Sequence, residues 1–446
     1  MRRKVMAKIA PFRGIRYNPD KVGDLSKVIS QPYDRVRYGL QDEYYNLHPQ
    51  NIVRIIKGKE REGDGPENNV YTRARDNFHA WLAEGYLRRD PEPCLYVYHQ
   101  TFTLPNGEER TRRAFIAALE LVEFDEGIVL PHERTLSGPK ADRLNLMRAT
   151  EANFGQIFML YPDAENRINA LFDAAIAGRE PDADVRELYE KDVRQQLWVV
   201  RDPEVIARVV AEMAPKRGLI IADGHHRYET ALNYRREMRQ KHPDAPANAA
   251  FNYRMVTLVS MDDPGLTILP THREIHDYTA KTTAQILADA AAYFEVTPMD
   301  DRAALEAALA QATPDAPRIG CYDGAYHLLT LKDLSVMDEI APDRIPAWRR
   351  LDVSILHELL IERVLGISKE KVAAKENINY HRDLDLAISK VDSGAAQCVF
   401  IMNPTRMTDV KACSEQGEKM PQKSTDFYPK VITGLVIMSV RAEERL

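Results

Sequence analysis

The sequence predicts a mixed α/β fold, class α/β (α+β). Two observations predict it. Short apolar runs of strand length recur along the 446 residues, and segments with helical periodicity lie between them. At Leu219 to Leu232 a strand, a turn and a helix succeed one another without a break: an apolar run, Leu219-Ile220-Ile221-Ala222, then Asp223-Gly224, then a helical pattern from His225. Apolar residues make up 44% of the chain, enough for a full core.

Taken in order, residues 7 to 60 are rich in turns: Pro11 to Pro19, then Gln31-Pro32-Tyr33-Asp34. Such segments read as structured loops around a site or as a plain N-terminal meander. Asn68 to Leu87 is expected to be a helix, with Tyr71, Ala74, Phe78, Trp81 and Leu82 on its core face. Cys94 to Thr103 alternates as a strand, Pro105-Asn106-Gly107 turns it, and Arg112 to Leu121 returns. Pro131 to Arg143 reads as a Gly-Pro loop before a helix. Phe154 to Tyr161 is a strand, and 163 to 213 holds helices and one strand, Leu197 to Val200. Phe251 to Ser260 is a further strand. Residues 280 to 335 carry a helix and two strands, with a turn at Asp323-Gly324. Leu351 to Leu365 is an amphipathic helix, Gln397 to Met402 a strand, and Gly434 to Val440 is apolar enough for a buried strand.

Charge narrows the function. With 61 basic and 67 acidic residues the net charge is −6, which disfavours a general nucleic-acid binder. The four cysteines, Cys94, Cys321, Cys398 and Cys413, form no C-x-x-C pair and read as reduced thiols. No apolar run nears the length of a membrane span, and Met1-Arg2-Arg3-Lys4-Val5 lacks the apolar stretch of a signal peptide, so a cytoplasmic protein is expected. P-loop, G-x-G-x-x-G, kinase and G-x-S-x-G motifs are absent, and His225-His226 is not a zinc pattern.

The strand-turn-helix junction is the leading candidate site. A helix N-terminus offers free N–H groups and the positive end of a dipole to an anion. Here His225, His226 and Arg227 occupy the first turn, where cations are disfavoured unless an anion offsets them. The plainer reading has Asp223 capping the helix and the histidines paired with carboxylates. Three other polar clusters stand out. Lys140 and Arg143 lie in the Gly-Pro stretch. Leu269-Pro270-Thr271-His272-Arg273 comes after a strand. Met420 to Lys430 holds Lys423, Ser424 and Thr425 between prolines. Side chains of these kinds bind phosphate oxygens.

I-A-D-G-H-H-R-Y-E-T-A-L, together with P-F-R-G-I-R-Y-N-P, Q-P-Y-D, G-P-K-A-D-R, L-P-T-H-R and M-P-Q-K-S-T-D-F-Y-P-K, resembles domain-of-unknown-function family 1015 over nearly the whole chain. More distantly, D-G-H-H-R resembles the turn of the ParB/sulfiredoxin-like fold, a group that includes sulfiredoxin, partitioning CTPases and ADP-dependent free-serine kinases. The sulfiredoxin cysteine has no counterpart here. That likeness implies a ParB/sulfiredoxin-like core with large insertions and a C-terminal α/β extension. The core would be 1–87 and 216–270, the inserted α/β region 88–215, and a C-terminal α/β region, 271–446, would return its tail to the site. It implies a nucleotide-dependent phosphotransferase acting on a small hydroxylated metabolite, plausibly serine/phosphoserine, with ADP or ATP and Mg2+. A CTPase-like regulatory switch and a small-molecule phosphatase remain open. Gly224, His225, Arg227, Lys140, Arg143, Lys423, Ser424 and Thr425 would hold phosphate or nucleotide. Asp34, Asp223 and His226 would serve the chemistry, with Asp34 or Asp223 as base. Arg13, Tyr33, His272 and Arg273 would hold the substrate. The expected partners are small molecules, with no nucleic acid and no membrane.

Overall fold

The computed structural model describes residues 6–37, 39–133 and 137–446. The chain divides into two units. The first comprises the N-terminal part to Pro131, the stretch up to Thr267 and the tail Pro429–Leu446; the second comprises residues 132–134 and Ile268–Tyr428. Arg134, Thr135 and Leu136 of the predicted loop lie outside the described residues.

Among the described residues the first unit holds a nine-stranded mixed sheet. Its strands are β1 (Ile9–Ala10), β2 (Leu95–Thr103), β3 (Glu109–Glu120), β4 (Val129–Pro131), β5 (Ile157–Tyr161), β6 (Ala183–Arg186), β7 (Arg194–Val200), β8 (Leu219–Asp223) and β9 (Tyr253–Ser260). Their spatial order is β4-β8-β5-β9-β3-β2-β7-β6, and β1 also pairs with β3. β8 runs parallel to β4, and β9 parallel to β5; the other pairs are antiparallel. The mixed α/β class read from the sequence is therefore the class observed.

Three helices of this unit pack in series: α1 (Val70–Ala83) against α2 (Ser137–Thr150), and α2 against α3 (His225–Lys241). Asn69 starts α1, its side-chain oxygen accepting from the amides of Tyr71 and Thr72 while Thr72 answers the Asn69 amide. α3 packs through Tyr228, Ala231 and Leu232 into the cluster that includes Ile157, Met159, Leu219, Ile221, Val256 and Leu258. Burying each large side chain of this kind stabilises the fold by about 1.5–3 kcal/mol. The Tyr228 hydroxyl donates to the Val122 carbonyl at 2.9 Å, so its one polar atom is satisfied.

Several local expectations change. The predicted Gly-Pro loop is already helix from Ser137, so Lys140 and Arg143 project from α2. Proline is tolerated there because first-turn N–H groups have no intrahelical partner to lose. Residues 163 to 213 contain β6 as well as a longer β7. Residues 280 to 335 contain two helices, Thr283–Ala290 and Arg302–Leu309, and three strands. The apolar run at 434 to 440 is buried throughout, yet only Met438–Ser439 forms a strand. Within the rest, Ile437 forms an isolated bridge to Ile15, and Thr433, just before the run, forms one to Ser30. Apolarity there records burial, not pairing.

The second unit, among its described residues, is built on a six-stranded sheet: β10 (His272–Ile275), β11 (Phe294–Met299), β12 (Arg318–Tyr322), β13 (Tyr326–Leu331), β14 (Ile378–His381) and β15 (Cys398–Ile401), in the order β11-β13-β12-β15-β10-β14. The predicted helix at 351 to 365 is present as Asp352–Ile355 continuing into Leu356–Val364, but the second part is wound wider than an α-helix. Among the described residues, no helix is long and apolar enough to cross a membrane.

Candidate functional site

The site grows from the end of β8. Gly224 has φ +101°, a left-handed conformation that side chains rarely adopt, and a Cβ there would meet Arg227 Nε at 3.0 Å. It is the N-cap of α3, with no side-chain cap. The expected cap from Asp223 is not made. Its carboxylate instead accepts from Arg227, one turn into the helix. Arg227 is 6% exposed and donates a second bond to the Gln156 carbonyl. Burial alone would raise the Asp223 carboxyl, but Lys430, then Arg227 and His225, hold it down at about 2. Lys430 Nζ stands 3.8 Å from its Oδ1.

The three first-turn cations are thus answered partly within the chain. Asp223 neutralises Arg227, and burial lowers the His226 imidazole, favouring its neutral form. The case for an external anion shifts to a neighbour that the motif does not contain. Arg254, on β9, is 4% exposed. Its described partners are the Gly155 carbonyl at 2.6 Å and the Met147 sulfur at 3.8 Å, and its Nε has no hydrogen-bond partner. Burial first, then Arg227 and Arg143, push its guanidinium down to about 9. A buried cation near two others is costly unless negative charge offsets it.

Arg143, Arg227 and Arg254 line one cavity of about 40 Å³, together with Tyr33, Thr230, Gly155 and an apolar floor of Leu146, Met147 and Phe154. Such a void takes a few water-sized groups, which is the scale of a phosphoryl group. Arg143 is fixed by Asp142 and the Ile56 carbonyl, and lies over the Tyr33 ring at 4.0 Å. Lys140 pairs with Glu229 at 2.7 Å. The Gln31 to Tyr33 loop is pinned from behind by Glu187, whose fully buried carboxylate accepts from Gln31 Nε2 at 2.7 Å, the Tyr44 hydroxyl, and the amides of Tyr189 and Glu190. Asp34 is exposed, and its charge acts on Tyr33, His226 and Arg227.

Of the residues singled out from the sequence, Tyr33, Arg143 and Arg227 line the cavity; Asp223, Gly224, His225 and His226 form the turn that carries Arg227. Arg13 is exposed and donates to the Asp90 carbonyl at 3.0 Å. Lys423, Ser424, Thr425, His272 and Arg273 belong to the second unit. There the Ser424 hydroxyl donates to the Pro421 carbonyl at 2.5 Å, and Thr425 Oγ1 meets His132 Nε2 at 2.9 Å. Lys423 is exposed and its carbonyl accepts from Arg273 at 3.0 Å. His272 accepts from the Met402 amide at 3.1 Å; burial, then Arg273, lowers its imidazole to about 4, so it is neutral near pH 7. Sequence reasoning missed Arg254 and Glu187, and quoted Lys430 only as the end of the tail cluster. The signal for Arg254 was present: one arginine inside the apolar run Phe251 to Ser260. Among the described residues, no three His, Cys, Asp or Glu side chains converge as a metal site.

No curated protein matches the chain. Among solved structures, the chain is similar to a conserved hypothetical protein from Pyrococcus furiosus, at 15% identity and TM-score 0.33, over 73% of this chain and 96% of that one. It is similar to a free serine kinase in complex with AMP, at 13% identity and TM-score 0.34, over 73% and 94%. SbnI with C-terminal truncation from Staphylococcus aureus is similar at 10% identity and TM-score 0.33, over 73% and 89%. Likenesses at these scores carry no weight for function. The family model described as protein of unknown function (DUF1015) matches residues 9–354, most of the chain, and the protein belongs to that family.

Proposed function

We propose that the first unit binds the phosphate of a nucleotide at the Gly224 turn and transfers a phosphoryl group to a small hydroxylated metabolite, with serine or phosphoserine the first compounds to try. The observation that carries this reading is Arg254: a buried guanidinium, facing Arg143 and Arg227 across a phosphoryl-sized cavity, whose described contacts are a carbonyl and a thioether. An oxyanion there would relieve repulsion among three cations. Phosphoryl transfer rests mainly on positioning and charge neutralisation, which such a cavity supplies.

In this reading Arg143 and Arg254 contact the phosphate, and Arg227, held by Asp223, shapes the turn. Asp223, with its carboxyl at about 2, is too weak a base to accept a proton usefully near neutral pH. Asp34 at the exposed end takes that role, and the neutral imidazole of His226 stands by to hold the acceptor hydroxyl. A Mg2+ ion accompanying ADP or ATP would be held largely by phosphate oxygens and water, and would supply charge neutralisation for the transferring group. The test is a screen of the full-length protein with ADP, ATP and CTP, each against serine and phosphoserine, with products resolved by mass. Phosphoryl exchange with one nucleotide is expected. Tight nucleotide binding without transfer to any hydroxyl compound or to water would replace the phosphotransferase with a nucleotide-binding switch. Release of phosphate to water alone would make it a phosphatase.

A further inference from the structure

Arg143 lines the first unit's cavity at the end of a long, flexible stem. Such a side chain samples many rotamers, and ordering it on a ligand weakens binding. Here it is ordered in advance, with its side chain 11% exposed. Nε and Nη2 both donate to Asp142 Oδ2, at 2.9 and 2.6 Å. Nη1 donates to the Ile56 carbonyl at 2.8 Å, and the guanidinium lies over the Tyr33 ring. Among the described residues, three of its five N–H groups are thereby engaged, which leaves one on Nη1 and one on Nη2.

The anchor is itself anchored. Asp142 precedes Arg143 on α2, and its two oxygens have separate duties. Oδ2 takes both arginine donors, while Oδ1 accepts from the Tyr71 hydroxyl at 2.9 Å. Tyr71 stands in the first turn of α1, where the Asn69 side chain caps its amide and its ring packs against the cluster that includes Phe78, Trp81 and Leu146. Burial, then Asp142, pushes the Tyr71 phenol above its ordinary value, so near neutral pH it remains the donor. A carboxylate that is 37% exposed and held at one oxygen can turn; this one is held at both. Its charge works against an anion nearby, because like charges repel. What Asp142 supplies to such a cavity is orientation, not field.

We propose that Tyr71 and Asp142 are positioning residues that act through Arg143, fixing its guanidinium for a phosphate oxygen; this rests on the reading of the cavity as a phosphate site. The test separates orientation from charge, with inorganic phosphate titrated into full-length variants by calorimetry. Asp142→Asn removes the charge but keeps both bonds, since the amide oxygen accepts from Arg143 and the amide nitrogen donates to the Tyr71 oxygen. It is expected to bind phosphate roughly threefold more tightly, the scale of a part-exposed charge pair. Asp142→Ala removes charge and bonds together. It is expected to bind about tenfold more weakly, the scale of one hydrogen bond to a charged group less the repulsion relieved. Tyr71→Phe keeps the carboxylate but releases its Oδ1, and is expected to weaken binding roughly threefold. A role through charge alone would move Asp142→Asn and Asp142→Ala in the same direction. A role in the fold alone would shift the urea midpoints of Asp142→Ala and Tyr71→Phe and leave their phosphate Kd unchanged. Either result overturns the proposal. If Asp142→Ala fails to fold, the opposite signs expected of Asp142→Asn and Tyr71→Phe decide. Arg254→Met tells this proposal from the reading beneath it. Full phosphate binding in Arg254→Met would sink the cavity reading and the positioning role together. Loss of phosphate there, with wild-type binding in Asp142→Ala and Tyr71→Phe, would sink the positioning role alone.

Discussion

Replacing Arg254 with methionine should make the protein more stable and less able to bind phosphate. The fall of the guanidinium from the ordinary arginine value to about 9 means that the fold disfavours the cation by roughly 5 kcal/mol. The folded value lies below the unfolded one, so the penalty is complete below pH 9 and fades as pH rises through 9 toward the ordinary arginine value. Methionine removes the charge, keeps an unbranched apolar stem, and leaves the Gly155 carbonyl without this donor, a loss of about 1–3 kcal/mol. The net expectation is a gain of about 2–4 kcal/mol in phosphate-free buffer. The assay is urea unfolding monitored by tryptophan fluorescence, repeated across a phosphate series. Wild-type protein should gain about 2.7 kcal/mol at a hundredfold excess of phosphate over its Kd, and the variant should gain almost nothing. A variant that is destabilised by 2 kcal/mol or more, yet keeps the full phosphate response, would refute the reasoning.

The same geometry sets the outcome of three other perturbations. Asp34→Asn should lower turnover by about 10²–10⁴-fold with nucleotide affinity nearly unchanged, read by separate kinetics and calorimetry; a matching loss of affinity would make Asp34 a binding group instead. Glu187→Ala strands the Gln31 amide, the Tyr44 hydroxyl and two backbone N–H groups, so it should cost at least about 2 kcal/mol by urea midpoint and weaken phosphate binding through the Tyr33 loop. His272, lowered from 6.5 to about 4, binds its proton in the unfolded chain before the folded one. Stability should therefore decline between pH 6.5 and pH 4, by roughly 3 kcal/mol from this group. His272→Asn should flatten that slope, and an unchanged slope would assign the acid loss to other groups.

The strand-turn-helix at 219 to 241 was legible because each part carries a strong local signal: a buried apolar run, a glycine where the backbone turns left-handed, and apolar Ala231, Leu232 and Tyr234, all three buried. The start of α2 was not, since Ser137-Gly138-Pro139 has the composition of a loop and only tertiary context makes it a first turn. The wide winding at 356 to 364 leaves the apolar pattern almost intact, so periodicity alone reads an ordinary helix. The site was legible as a motif but not as an electrostatic balance. Arg227 looked like the anion's ligand, and the structure ties it to Asp223 and Gln156. Arg254 looked like an ordinary strand residue. What makes it unusual is the company of Arg143 and Arg227, which arrive from other parts of the chain. The lone arginine in an apolar run marked the position, but its neighbours could not be read from that run.

The most direct test is a crystal structure of the full-length protein with ADP. Phosphate density bounded by Arg143, Arg254 and the backbone amides at 225 to 227, with Asp34 on the side open to solvent, is the predicted result. ADP bound elsewhere, or a first-unit cavity that stays free of phosphate at millimolar ADP, would contradict the account.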